Sequence, residues 1–143
     1  MANPSPPLGG CFVVPTWWHD PSFSLSNIAE FIVAPVSTVH LWWDLARAAG
    51  HEAGKKYGGR VLYSCHELYI ACLLAKLRQR GVRINAKVID SAFQFAASGP
   101  LPYHGIWDVF GGEGATLEVP AWLCWTATRA HATRFYGGGP DAQ

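Results

Sequence analysis

The sequence predicts a mostly α fold with small β: four helices with a hairpin between the second and the third, followed by a short β-rich C-terminal element. Three observations predict it. Apolar residues recur at i, i+3, i+4 and i+7 in three segments between Phe23 and Ala97, the spacing of one face of a helix. Start signals stand just ahead of those segments, and a Gly-Gly pair flanked by aromatic and β-branched residues fits a small hairpin between them. The 143-residue chain, half of it apolar, holds enough material for one domain of ordinary size, or a small domain with an appended element.

The first helix is expected from Ser24 or Ser26 as N-cap, with Leu25, Ile28, Ala29 and Ile32 as its buried stripe. Pro35 breaks the chain near a turn, and a second helix restarts over Val36 to Ala49, ending at Gly50. Two short helices joined by a tight turn make a helix-turn-helix. The hairpin follows in Lys55-Lys-Tyr-Gly-Gly-Arg-Val-Leu-Tyr63. Ser64-Cys-His-Glu67 is a capping box, in which serine and glutamate satisfy each other's backbone N–H groups, so the third helix begins at Cys65. Its stripe is Ile70, Leu73, Leu74 and Leu77, and it stops at Gly81 behind Lys76, Arg78 and Arg80, cations suited to the negative end of the helix dipole. Asn85 caps a fourth helix running to about Ala97 on Ile89, Ala92, Phe93 and Ala96.

Charge placement sharpens the picture. The formal net charge is only +1, yet nine of the eleven Lys and Arg lie between Arg47 and Lys87 against two acids, Glu52 and Glu67. That segment carries +7 and the remainder −6. A basic block in a near-neutral chain is the footprint of a phosphate-binding face, the alternative being a solvated helix surface. No apolar run approaches the roughly 18 residues a spanning helix needs. The Pro-rich start lacks the charged n-region of a secretory signal, so a cytoplasmic location and a disordered arm are expected. Cys11, Cys65, Cys72 and Cys124 show no C-x-x-C spacing and read as buried free thiols rather than a metal or redox site.

In this order, the helix pair, the Gly-containing hairpin, Tyr-Ser ahead of a capped helix and Leu77-Arg-Gln-Arg-Gly-Val-Arg-Ile84 resemble the winged helix-turn-helix of MerR-like transcriptional regulators, over about Phe23 to Ser98. The resemblance implies that the second helix enters the major groove of double-stranded DNA while wing residues hold flanking phosphates, usually in a homodimer on two half-sites. Carried over by position, Ser37, Thr38, His40 and Trp43 would face the groove, with Arg47 near the backbone. Lys55, Lys56, Arg60 and Tyr63 would belong to the wing. The chain departs from the pattern in three places: His40 stands where the family usually has arginine, the wing is one residue longer, and the turn Val33-Ala-Pro-Val36 has no glycine. A neutral imidazole has neither the charge nor the bidentate fork with which arginine reads guanine.

Beyond Ser98 the family's long dimerisation helix is absent. A linker is expected over Gly99 to Tyr103, then strands over Ile106 to Phe110 and Ala115 to Val119, then a third strand or short helix over Ala121 to Thr128. Trp107, Phe110, Trp122, Leu123 and Trp125 give this region more apolar surface than it easily buries alone. It would pack on Trp17 and Trp18, form a homodimer interface, or bind a protein partner. The expected division is therefore an N-terminal arm over 1–22, the winged helix-turn-helix over 23–98, the aromatic element over 99–137 and a tail over 138–143.

Catalytic motifs are missing: no P-loop, Rossmann glycine pattern or H-E-x-x-H occurs, and none of the six histidines has a second element at useful spacing. The sequence thus points to a DNA-binding regulator, compact repressor or antitoxin-like, without enzyme activity, cofactor, metal or membrane contact. Its rival is an adaptor that uses the same fold for protein contacts, as in phage assembly or inhibition of a host machine.

Overall fold

The computed structural model describes residues 16–97, 105–110 and 117–135. The expected arm up to residue 15 with Cys11, the linker at 99–103, the turn at 111–114 and the tail beyond residue 137 lie outside the described residues. Within them, helices α1 (Leu25–Ile32) and α2 (Val36–Ala48) precede strands β1 (Lys55–Tyr57) and β2 (Arg60–Leu62). Helices α3 (Cys65–Gln79) and α4 (Ala86–Ala96) follow, then β3 (Ile106–Asp108), β4 (Glu118–Pro120) and α5 (Ala121–Phe135).

Local chemistry fixes the helix starts. Ser24 caps α1, its hydroxyl accepting from the Asn27 N–H at 3.1 Å while Asn27 Oδ1 accepts from the Ser24 N–H at 2.9 Å. Asn85 caps α4 by accepting from the Val88 N–H at 3.0 Å. The Ser64/Glu67 box forms at the head of α3. The turn after α1 closes on Val33 at φ 57°, ψ 57°, a left-handed conformation that costs a β-branched residue about 1–2 kcal/mol. Val33 thus does what a glycine does elsewhere, and its side chain is left in solvent.

The β1–β2 hairpin is antiparallel with Lys56 opposite Val61, and Gly58 turns it at φ 60°. Ahead of it, Gly54 cannot be replaced: a Cβ there would sit 2.6 Å from Val61 Cγ1 and 2.8 Å from Tyr63 Cε1. Phe23 and Tyr63 exchange backbone hydrogen bonds at 2.9 and 2.7 Å, tying the entry of α1 to the exit of the hairpin.

Helix α3 is the centre of the molecule. Beyond the expected stripe, Leu68, Tyr69, Ala71, Cys72 and Ala75 are buried too, because α3 packs against α1, α4 and α5 together. Trp17 and Trp18 join the same core, with Trp18 packed between Tyr69 and Trp125.

The C-terminal element corrects the β-rich expectation. Its two strands are three residues each, paired Trp107 to Val119, and the stretch from Ala121 is a 15-residue helix. Its buried residues, Ala121, Cys124, Trp125, Thr128 and Ala132, have helical spacing but include only one large apolar side chain. The aromatics and threonines left strand and short helix as open alternatives for this segment; it is the helix, and small residues at these positions let α5 lie close to α3.

Candidate functional site

Helix α2 and the hairpin enclose an open cleft of about 580 Å³, lined among others by His40 and Arg47 from α2 and by Lys56, Val61 and Tyr63 from the hairpin and its exit. Four of the nine residues expected to meet nucleic acid, His40, Arg47, Lys56 and Tyr63, therefore line one cleft, while Lys55 lines a neighbouring cavity. The expected residues divide into three kinds.

Lys55, Lys56 and Arg60 are exposed and form no ion pair among the described residues. Their register puts Lys55 and Lys56 on one strand and Arg60 on the other, so three positive charges stand within a hairpin of two three-residue strands. Tyr57, paired with Arg60, is half exposed beside them.

Ser37 and His40 lie on the outward face of α2, and Thr38 is half-buried, its N–H donating to the Pro35 carbonyl at 3.0 Å. His40 Nδ1 is 3.1 Å from Asp44, and Arg47 Nη1 is 3.3 Å from the same carboxylate. Asp44, one turn from each, was not singled out from sequence, although the His40-Asp44 and Asp44-Arg47 spacings of four and three are those of helix neighbours.

Trp43, Arg47 and Tyr63 act mainly inward. Trp43 is fully buried, stacked on Tyr63 with centroids 5.7 Å apart and edge-on to Phe93, so it does not face a groove. Trp42 is buried as well, α2 packing against both α1 and α4. Tyr63 is 4% exposed. Arg47 donates through Nε and Nη2 to the Ala53 carbonyl at 3.1 and 2.8 Å, and through Nη2 to the Tyr63 hydroxyl at 3.2 Å. That guanidinium clamps the loop ahead of the hairpin onto α2 instead of standing free for a phosphate.

Glu67 holds the hairpin from the other side. Its Oε2 accepts from the Gly54 N–H at 2.6 Å, and its Oε1 accepts from the Ser64 N–H at 2.7 Å and the Ser64 hydroxyl at 3.1 Å. Burial raises its pKa, against the lowering effect of those hydrogen bonds and of the Arg47 charge. A second cavity of about 300 Å³ adjoins it, bringing His19, Glu52, Lys55 and His66 near one another. His66 is pushed down to about 4 by burial and by His19, and Cys65 up to about 12 by burial and by Asp20. At neutral pH both are uncharged packing groups.

The five aromatic and apolar residues expected at an interface separate likewise. Trp107 is buried, its Nε1 donating to Ser91 Oγ at 3.0 Å, and Phe110 is half-buried against the core. Trp125 stacks on Trp17 with planes 5° apart and centroids at 6.4 Å, which realises the intramolecular packing on the tryptophan pair. Only Trp122 and Leu123, at 37% and 39% exposure, point outward, near Ile106.

No helix among the described residues is long and apolar enough to cross a membrane. No group of three or more His, Cys, Asp or Glu among them is placed to hold a metal ion. No family model, curated protein or solved structure matches the chain.

Proposed function

We propose that the protein binds double-stranded DNA, with the β1–β2 hairpin on backbone phosphates and the outward face of α2 toward the major groove, as a MerR-like compact regulator. The observation that carries this reading is the hairpin's set of exposed, unpaired cations, Lys55, Lys56 and Arg60, of which Lys56 lines the cleft that α2 shares with the hairpin. Phosphate contacts position such a module and base contacts specify it. Ser37, His40 and Asp44 are the polar side chains available for base edges, Asp44 as an acceptor for a cytosine amino group. A homodimer on two half-sites would use the outward residues Trp122 and Leu123.

The test is the affinity for a random duplex, read by fluorescence anisotropy across a salt series. Each phosphate neutralised contributes about 0.9 to the slope of log affinity against log salt, so three contacts give a slope near −2.7. The triple variant Lys55→Ala/Lys56→Ala/Arg60→Ala should lose that dependence. Absence of binding by the wild-type protein at low salt overturns the reading.

A second reading, a protein-contacting adaptor, is favoured by one specific feature. Asp44 lies at the middle of the exposed face of α2 and engages both His40 and Arg47, so that face carries no unpaired cation. The exposed apolar residues Val36 and Leu41 flank it. Under this reading Leu41→Asp weakens capture of a protein partner while duplex DNA is not bound at all.

A further inference from the structure

Helices α3 and α5 run antiparallel, and two anchors set their register. At one end Arg80 Nη1 donates to the Glu118 carbonyl at 2.9 Å, which brings the end of α3 beside the strand that leads into α5. Further along, Trp18 packs at 5.7 Å from both Tyr69 and Trp125. One helix is thus read forwards while the other is read backwards, and between the anchors Cys72 falls opposite Cys124. The two side chains are close enough for each to perturb the other's ionisation. Cys124 is fully buried, whereas Cys72 keeps 7% exposure at the edge of the interface, with Lys76 one helical turn further on.

We propose that Cys72 and Cys124 are a modification site for peroxides, closing into an intramolecular disulfide that ties α5 to α3. The residues divide the chemistry between them. Cys72 is the edge thiol, and the neighbouring Cys124 and the Lys76 charge lower its pKa against the raising effect of burial, so of the two it is the one that ionises first to attack. That sulfur attacks one oxygen of hydrogen peroxide and the O–O bond breaks, leaving Cys72 as a sulfenic acid and releasing hydroxide, which takes a proton to become water. Cys124, the more firmly protonated partner, gives up its proton as its sulfur attacks the sulfenic sulfur. The S–O bond breaks and a second water leaves. Two thiols and one peroxide become one disulfide and two waters, with the two electrons passing from sulfur to oxygen. Cys65 has no such role, being buried and held protonated near Asp20.

The experiment uses the full chain carrying Cys11→Ser, titrated with hydrogen peroxide, then denatured, alkylated and mapped by mass spectrometry. The expected product has lost two hydrogens, carries one alkylated cysteine, Cys65, and yields a peptide pair linked through Cys72 and Cys124. Its thermal unfolding midpoint lies above that of the reduced protein, and reduction with dithiothreitol returns both. Cys72→Ser and Cys124→Ser each abolish the link. Because the map is read on a chain with both thiols, it stands even where a serine variant folds poorly. A link through Cys65, a link between chains, or Cys72 oxidised to sulfinic acid beside a free Cys124 overturns the proposal.

Discussion

The two small sheets are built alike and used differently. Each pairs two three-residue antiparallel strands, yet every residue of β1 is exposed, whereas β3 and β4 alternate and turn Trp107 and Val119 into the core. The β1–β2 hairpin contributes little burial of its own and is fastened from outside, through Arg47 to the Ala53 carbonyl and through Glu67 to the Gly54 N–H. The β3–β4 sheet has outside bonds too, from Arg80 to the Glu118 carbonyl and from Ser91 to the Val109 carbonyl at 2.8 Å, but adds its own buried Trp107, whose Nε1 donates to Ser91 Oγ. A strand pair whose charged residues are unnecessary for packing is free to present them; one whose central residues are core is a structural staple.

Removing Trp107 breaks this difference most directly. Trp107→Ala deletes a fully buried indole and leaves the Ser91 hydroxyl without its donor, so a loss of about 3–5 kcal/mol in urea-induced unfolding is expected. A loss under 1 kcal/mol would show that the second sheet is not part of the cooperative core.

The four-helix part was legible in sequence because its signals are local. Ser24, Ser64 with Glu67, and Asn85 cap the helices they precede, and Gly58-Gly59 turns the hairpin where the pair stands. The last helix was only half legible, as one of two alternatives over Ala121 to Thr128, since α5 buries Ala121, Cys124, Thr128 and Ala132 around a single large residue, Trp125, while leaving Trp122 and Leu123 outside. Within the site, Lys55, Lys56 and Arg60, expected on the wing, stand exposed on the hairpin. Trp43 and Arg47 were not legible as inward groups: the indole is covered because Tyr63 and Phe93 return 20 and 50 residues later, and the guanidinium's acceptor, Ala53, lies in a loop without a pattern. Long-range closure of this kind leaves no trace in helical spacing.

A smaller effect is expected at the fastening of the first sheet. Glu67→Gln keeps the shape but offers one acceptor oxygen where two backbone N–H groups, those of Gly54 and Ser64, each bind a separate carboxylate oxygen. One of them must then face an amide NH2. The cost of leaving it unsatisfied is about 1–3 kcal/mol, partly offset because a neutral amide is easier to bury than the carboxylate. Hydrogen exchange at the Gly54 and hairpin amides should rise more than exchange in α5. Equal protection across both regions would mean that the hairpin is held by Arg47 alone.

The smallest stability change belongs to the hairpin's own charges. Lys55, Lys56 and Arg60 are exposed and unpaired, so the triple alanine variant should unfold within about 0.5 kcal/mol of wild type even though it tests the whole phosphate-binding reading. Crowding three like charges into two short strands costs the fold something through mutual repulsion, and neutralising them removes that cost as it removes solvated side-chain contacts. A slight stabilisation at low salt, shrinking as salt is added, is therefore the expected sign. A marked destabilisation would instead place these side chains among the groups that hold the hairpin. The contrast with β3–β4 would then collapse, and the cations would need no ligand to explain their position.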